Sequence, residues 1–287
     1  MINQMTNMQQ RLFSGFIAAI LTLMLIFFSQ APAFKVISTL LIALIIAVAI
    51  WEFYQIAYAK NFYPAAKLGI TTSVLYTISV GLSTQYPIFH LLPDIVLLAS
   101  LIAFFLYYFI KGQEPFLNLA TTIFSFVYLA IPLSCLVSIT YYFSQSGAQD
   151  GRWWIAYLLI TTKITDTGAF LIGKRFGKQK LAPFISPQKT WEGALGGLIF
   201  ALVTSILITL TASLVGGAFS LTFVQSIWLG AGIGILGQCG DLSESLLKRD
   251  GGIKDSNQLP GLGGMLDMVD SLVFTTPLVY IFLKAYT

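Results

Sequence analysis

The sequence predicts an all-α protein, a polytopic helical membrane protein of about nine transmembrane helices. Three observations carry this. Of 287 residues, 56% are hydrophobic and only 10% are charged, against about 25% charged in an ordinary soluble domain. The apolar residues run continuously for about 20 positions at a time, the length of a helix that crosses a bilayer. They do not alternate as in the strands of a membrane barrel. Lys and Arg collect in a few connecting segments, as cytoplasmic loops do. The composition excludes a soluble globular domain, and so much hydrophobicity with so little charge excludes disorder.

The first span is expected at 12–28. Arg11, the run Leu12 to Phe28 and then Ala31-Pro32-Ala33 imitate a secretory signal with its cleavage site. The run is longer than the roughly 7–15 residues of a signal core, so it reads as a retained helix. Further spans follow at 35–58, 68–84, 93–110, 118–143, 153–173, 193–214, 223–240 and 268–285. The third, fourth and last are short or ambiguous. No internal repeat and no low-complexity tract appears. Polar residues divide the chain into N-terminal scaffold helices, 1–151, and a C-terminal region, 152–287. The second carries two dense polar segments, 174–192 and 241–270, where the chemistry is expected.

With nine spans, the N-terminus shares a side with the even-numbered loops. That side carries twelve Lys and Arg residues, against Lys35, Arg152 and Lys284 on the other. The excess places both polar segments in the cytoplasm, and the expected location is a bacterial inner membrane. The net charge of +4 is then topological, and no nucleic-acid partner is expected. Cys135 and Cys239 lack CxxC spacing, so neither a zinc site nor a disulfide is expected. His90 is the single histidine and reads as structural.

Three constellations stand out. Lys163 and Asp166 lie inside the sixth span, where ionisable groups are costly; three residues apart, they share a helix face. They read either as a mutually neutralised pair or as the lining of a polar cavity. Next, Ser186-Pro187-Gln188-Lys189-Thr190 directly precedes a helix. Hydroxyls and a Lys at a helix N-terminus suit a phosphate, because the free N–H groups and the dipole both favour an anion. Positive-inside charge alone would explain the lysines but not this pattern. The densest group is Asp241, Lys248, Arg249 and Lys254, followed by Gly261, Gly263 and Gly264, then Asp267 and Asp270. Asp267 and Asp270 are spaced to share a helix face, and hard oxygen ligands without His or Cys suit Mg²⁺. By contrast, Gly232-x-Gly234-x-x-Gly237 matches a dinucleotide fingerprint but sits in an apolar span. It reads as close helix packing, as does Gly193-x-x-x-Gly197.

The segment from Ser245-Leu-Leu-Lys248-Arg249 through Lys254-Asp255 and Leu259-Pro260-Gly261-x-Gly263-Gly264-x-x-Asp267-x-x-Asp270 resembles the signature of phosphatidate cytidylyltransferases. Ser186-Pro187-x-Lys189-Thr190-Trp191-Glu192-Gly193 and Asp166 resemble the same family, so the likeness covers roughly 160–275. It departs at Leu262, where the family usually has His, and at Met268, where it usually has Arg. The resemblance implies that CTP and phosphatidate give CDP-diacylglycerol and pyrophosphate. It implies Mg²⁺ on Asp241, Asp267 and Asp270, with room for a second cation, and phosphates held by Lys189, Lys248, Arg249 and Lys254. Ser186 and Thr190 would donate hydrogen bonds, Gly263 and Gly264 would let the backbone approach the substrate, and Lys163 and Asp166 would line the cavity. Membrane lipids surround such a protein, and a homodimer is compatible with it. Two other readings stay open at this stage: a CTP-dependent enzyme acting on another lipid such as a polyprenol, and a secondary transporter using Lys163 and Asp166.

Overall fold

The computed structural model describes residues 27–29, 31–112, 114–143, 149–253 and 264–286. The expected first span, 12–28, lies almost wholly outside the described residues, as do Lys254, Leu262 and Gly263. Among the described residues eight α-helices follow one another: α1 (Pro32–Ala59), α2 (Ala66–Gln85), α3 (Leu92–Lys111), α4 (Pro115–Tyr141), α5 (Gly151–Phe176), α6 (Trp191–Leu214), α7 (Phe223–Asp250) and α8 (Met265–Tyr286). Seven helices among the described residues, α1 and α3 to α8, are long and apolar enough to cross a bilayer, and the chain is an integral membrane protein. The expected third span forms α2, a 20-residue helix, but it is too rich in Ser and Thr to count among those seven.

An addition to the all-helical expectation is a small hairpin, β1 (Lys180–Ala182) and β2 (Ser186–Thr190), paired antiparallel between α5 and α6. It turns one of the two polar segments into ordered structure.

The chain divides into two compact units, Met1–Val137 with Gly251–Val269, and Ser138–Asp250 with Asp270–Thr287. In the first, Ile46, Ile50, Tyr54, Phe104, Phe126 and Leu129 are fully buried. Polar ties cross this apolar core. The Tyr54 hydroxyl meets Ser125 Oγ at 2.7 Å, and the Tyr63 N–H donates to Asn118 Oδ1 at 2.7 Å. Glu52, 1% exposed inside α1, accepts the Met265 and Leu266 N–H groups at 3.0 and 2.7 Å. Its carboxylate thereby satisfies orphan donors at the N-terminus of α8, where the helix dipole also favours negative charge.

In the second unit, Asp150 caps α5 by accepting the Arg152 N–H at 2.9 Å, and Trp154, Tyr157 and Leu158 build the core. Ser205 Oγ donates to the Ser226 carbonyl at 2.6 Å, which leaves the Tyr157 hydroxyl to donate to Ser205 at 2.7 Å. Small residues set the helix crossings. A Cβ on Gly193 or Gly197 would press on Ala169 of α5, and one on Gly234 would press on Ala201 of α6. The glycine patterns of α6 and α7 therefore serve close helix packing, as the sequence predicts.

Candidate active site

The site lies in the second unit, where the ends of α5 and α7 meet the hairpin and the start of α6. One crossing fixes its acidic side. A Cβ on Gly240 would collide with the Asp270 carbonyl and crowd the Ser271 Cα. Glycine at 240 therefore lets α7 touch α8, and Asp241 follows at once. The charges of Asp241, Glu244 and Lys163 all act on the Asp270 carboxylate, which is 9% exposed.

On α5, Lys163 Nζ stands 3.5 Å from Asp166 Oδ2 and 3.4 Å from Ser271 Oγ. The two residues thus face one another, as their spacing predicts. Asp166 Oδ1 is buried and meets no hydrogen-bond partner among the described residues. Lys189 reaches down from β2 to Asp241 Oδ2 at 3.3 Å. Thr190 caps α6 by accepting the Gly193 N–H at 3.2 Å, which leaves its own O–H free to donate. The Glu192 carboxylate accepts the Lys178 and Gln179 N–H groups at 3.0 and 3.2 Å, so the first turn of α6 is tied to the segment that follows α5. Arg249 Nε donates to the Ile185 carbonyl at 3.1 Å, joining the end of α7 to the hairpin turn.

These elements enclose a pocket of about 520 Å³. Its cationic lining comes from Lys174, Lys180 and Lys189, its acidic lining from Asp166 and Asp241. Ser186 and Thr190 line it as well, with Phe170 and Gln238. Such a lining suits a polyanion accompanied by a hard cation. Among the described residues, no three His, Cys, Asp or Glu side chains are grouped to hold a metal by themselves. Mg²⁺ at nucleotide sites commonly takes one or two carboxylates and fills the rest of its shell with phosphates and water. Two pocket carboxylates, one with an orphaned buried oxygen, fit that donor set.

The sequence-predicted residues separate into three groups. Lys163, Asp166, Ser186, Lys189, Thr190, Asp241 and Asp270 come together in the second unit. Lys248 is only 11% exposed, with Nζ 2.9 Å from Glu244 Oε1, and Arg249 is engaged by the hairpin. Asp267 and Gly264 belong to the first unit; Asp267 is exposed and directly follows the two residues whose amides Glu52 accepts. Glu52, Glu244 and Gln238 were not singled out by sequence. For Glu52 a signal existed, because it is an ionisable group within the expected span 35–58; Glu244 lies in the polar segment 241–270, where a further acid does not stand out.

A profile of the cytidylyltransferase family matches residues 9–286. The chain is 34% identical over 245 residues to a phosphatidate cytidylyltransferase of Chlamydia pneumoniae, covering 83% of this chain and 79% of that protein. It is 31% identical over 288 residues to one of Bacillus subtilis, 99% of this chain and 100% of the relative. A third, of Staphylococcus haemolyticus, is 42% identical over 160 residues, 52% of this chain and 58% of that protein.

Proposed function

Because the chain belongs to the cytidylyltransferase family, we infer that it joins CTP to phosphatidate, making CDP-diacylglycerol and pyrophosphate for phospholipid biosynthesis. The observation that best supports this is the pocket, in which three lysines face two aspartates beside the ends of membrane-spanning helices. A phosphate oxygen of phosphatidate attacks the α-phosphorus of CTP, the bond to the β-phosphate oxygen breaks, and pyrophosphate leaves. The nucleophile is already an anion, so no general base is needed. The protein positions two polyanions and offsets their repulsion, as in phosphoryl transfer generally.

Lys189, Lys174 and Lys180 would hold the phosphates, and Ser186 and Thr190 would donate to their oxygens. Asp241 and Asp166 would hold Mg²⁺ from the pocket wall, Asp270 stands beside Asp241, and the sequence adds Asp267. When bound, the ion would neutralise charge on the phosphates. The test is incorporation of radiolabelled CTP into phosphatidate by purified protein, with and without Mg²⁺. CDP-diacylglycerol formed only with the metal is expected; no product with either divalent ion or nucleotide varied would overturn the reading.

Two further results are expected. Lys189→Ala should lower kcat/KM by about 10- to 150-fold, because a charge-assisted bond to phosphate contributes about 1.5–3 kcal/mol. A change below twofold would return that loop to a merely lipid-facing role. The site is proposed to face the cytoplasm of a bacterial inner membrane. A cysteine introduced at Gln179 should then resist impermeant maleimide in intact cells and react after permeabilisation. Labelling from outside would reverse the topology.

A further inference from the structure

Gln238 lines the pocket one helical turn before Asp241 on α7. Its amide nitrogen donates to the Gly234 carbonyl at 2.8 Å and to the Ala194 carbonyl at 3.2 Å. Both partners are acceptors, so the orientation of the amide is fixed: turning it over would set its oxygen against two carbonyl oxygens. Both N–H donors are thus committed to backbone. Among the described residues no donor meets the Gln238 oxygen, which is left as the uncommitted polar atom of a side chain that lines the pocket. A glutamine held in this way is an acceptor only.

We propose that Gln238 is the specificity-determining residue that selects cytosine over uracil, an inference that rests on the cytidylyl-transfer reading above. Cytosine offers an exocyclic N4–H₂ donor at the position where a 4-keto base such as uracil has an acceptor oxygen. The Gln238 oxygen accepts from the first and repels the second. Because its nitrogen is tied to two carbonyls, the amide cannot rotate to suit uracil. Rejection therefore comes from an unfavourable contact as well as a missing one, the combination that gives strong discrimination. Phe170, one turn after Asp166 on α5, also lines the pocket with Lys174 Nζ 5.7 Å from its ring centroid, and such an aromatic ring can stack a base.

The test compares kcat/KM for CTP and UTP with Mg²⁺ and phosphatidate in detergent micelles, for wild type and Gln238→Met. Methionine keeps the length and apolar body and removes the fixed acceptor. Wild type should favour CTP by roughly 100-fold or more, and Gln238→Met should shrink that ratio at least roughly tenfold, mainly by losing CTP. The ratio is independent of the fraction of active enzyme. If Gln238→Met does not fold, Gln238→Asn carries the test, because its shorter amide cannot hold both carbonyls and present oxygen at the same point. A wild type inert with CTP would overturn the cytidylyl-transfer reading itself. A wild type active with both nucleotides alike, or an active variant keeping the wild-type ratio within twofold, would overturn the role of Gln238 alone.

Discussion

An Asp241→Asn enzyme is expected to lose turnover by about 10²- to 10³-fold while melting at the wild-type temperature. The substitution preserves shape but removes the charge that faces Lys189 at 3.3 Å. Losing one preorganised charge at a site of phosphoryl transfer costs about 10²- to 10³-fold in rate, and each 1.4 kcal/mol is tenfold; the pair is partly exposed, so the fold loses little. Asp270→Asn should be as damaging to turnover, because it too removes a carboxylate beside the pocket, but with a different signature in stability. Asp270 is buried and sits among two like charges, Asp241 and Glu244, against one opposite charge, Lys163, so neutralising it relieves desolvation and net repulsion, and its melting temperature should hold or rise. Loss of activity without loss of stability would mark acids retained for substrate chemistry. Isothermal titration should show weaker Mg²⁺-CTP binding for both. Near-normal turnover in both variants would sink the acidic side of the site.

Gly240→Ala is expected to be almost as severe, although the added methyl group carries no chemistry. The new Cβ would overlap the Asp270 backbone carbonyl, which has no rotamer by which to retreat. The two helices must part, and Asp241 moves away from Asp270. A misplacement of about 1 Å can cost about 10²-fold in rate. The variant should also melt several degrees lower, since overpacking costs about 1–3 kcal/mol. A Gly240→Ala enzyme with wild-type turnover and melting temperature would show that the contact between α7 and α8 is not what aligns the acids.

The spans α1 and α4 to α7 were plainly legible, and α3 and α8 less so for their shortness, because hydropathy reports the one property that a bilayer demands of a helix. The helix α2 was legible as a helix and ambiguous as a span. Its hydroxyls count as polar in any composition scale, yet Thr71, Thr72, Ser73 and Thr77 each donate to a carbonyl four residues back and so carry their own partners. The hairpin could not be seen in advance. Its two strands are very short, and Pro183 and Pro187 read as loop. Lys163, Asp166, Lys189 and Asp241 were legible because charge beside an apolar run is conspicuous. Gln238 was not, because a neutral amide between Gly237 and Cys239 carries no signal until its two carbonyl partners are located. Glu52 broke the same rule that exposed Lys163 and Asp166, but its partners are backbone amides, which every sequence contains and none advertises.

The tie between Glu52 and the start of α8 has a consequence for biosynthesis. The partners are separated by 213 residues, so the carboxylate is translated long before the amides that receive it. At roughly 5–20 residues per second, the interval is roughly 10–40 s. Throughout it, α1 has reached the translocon with an acid that its final partner cannot yet neutralise, a burden of about 2.5–3.5 kcal/mol at mid-bilayer. Early insertion is therefore carried by the apolar remainder of α1, and the acid finds its partner amides only when the last helix arrives. The helix that brings Asp267 and Asp270 is also the one that completes the first unit, so a nascent chain truncated before α8 lacks both its acids and its final clasp.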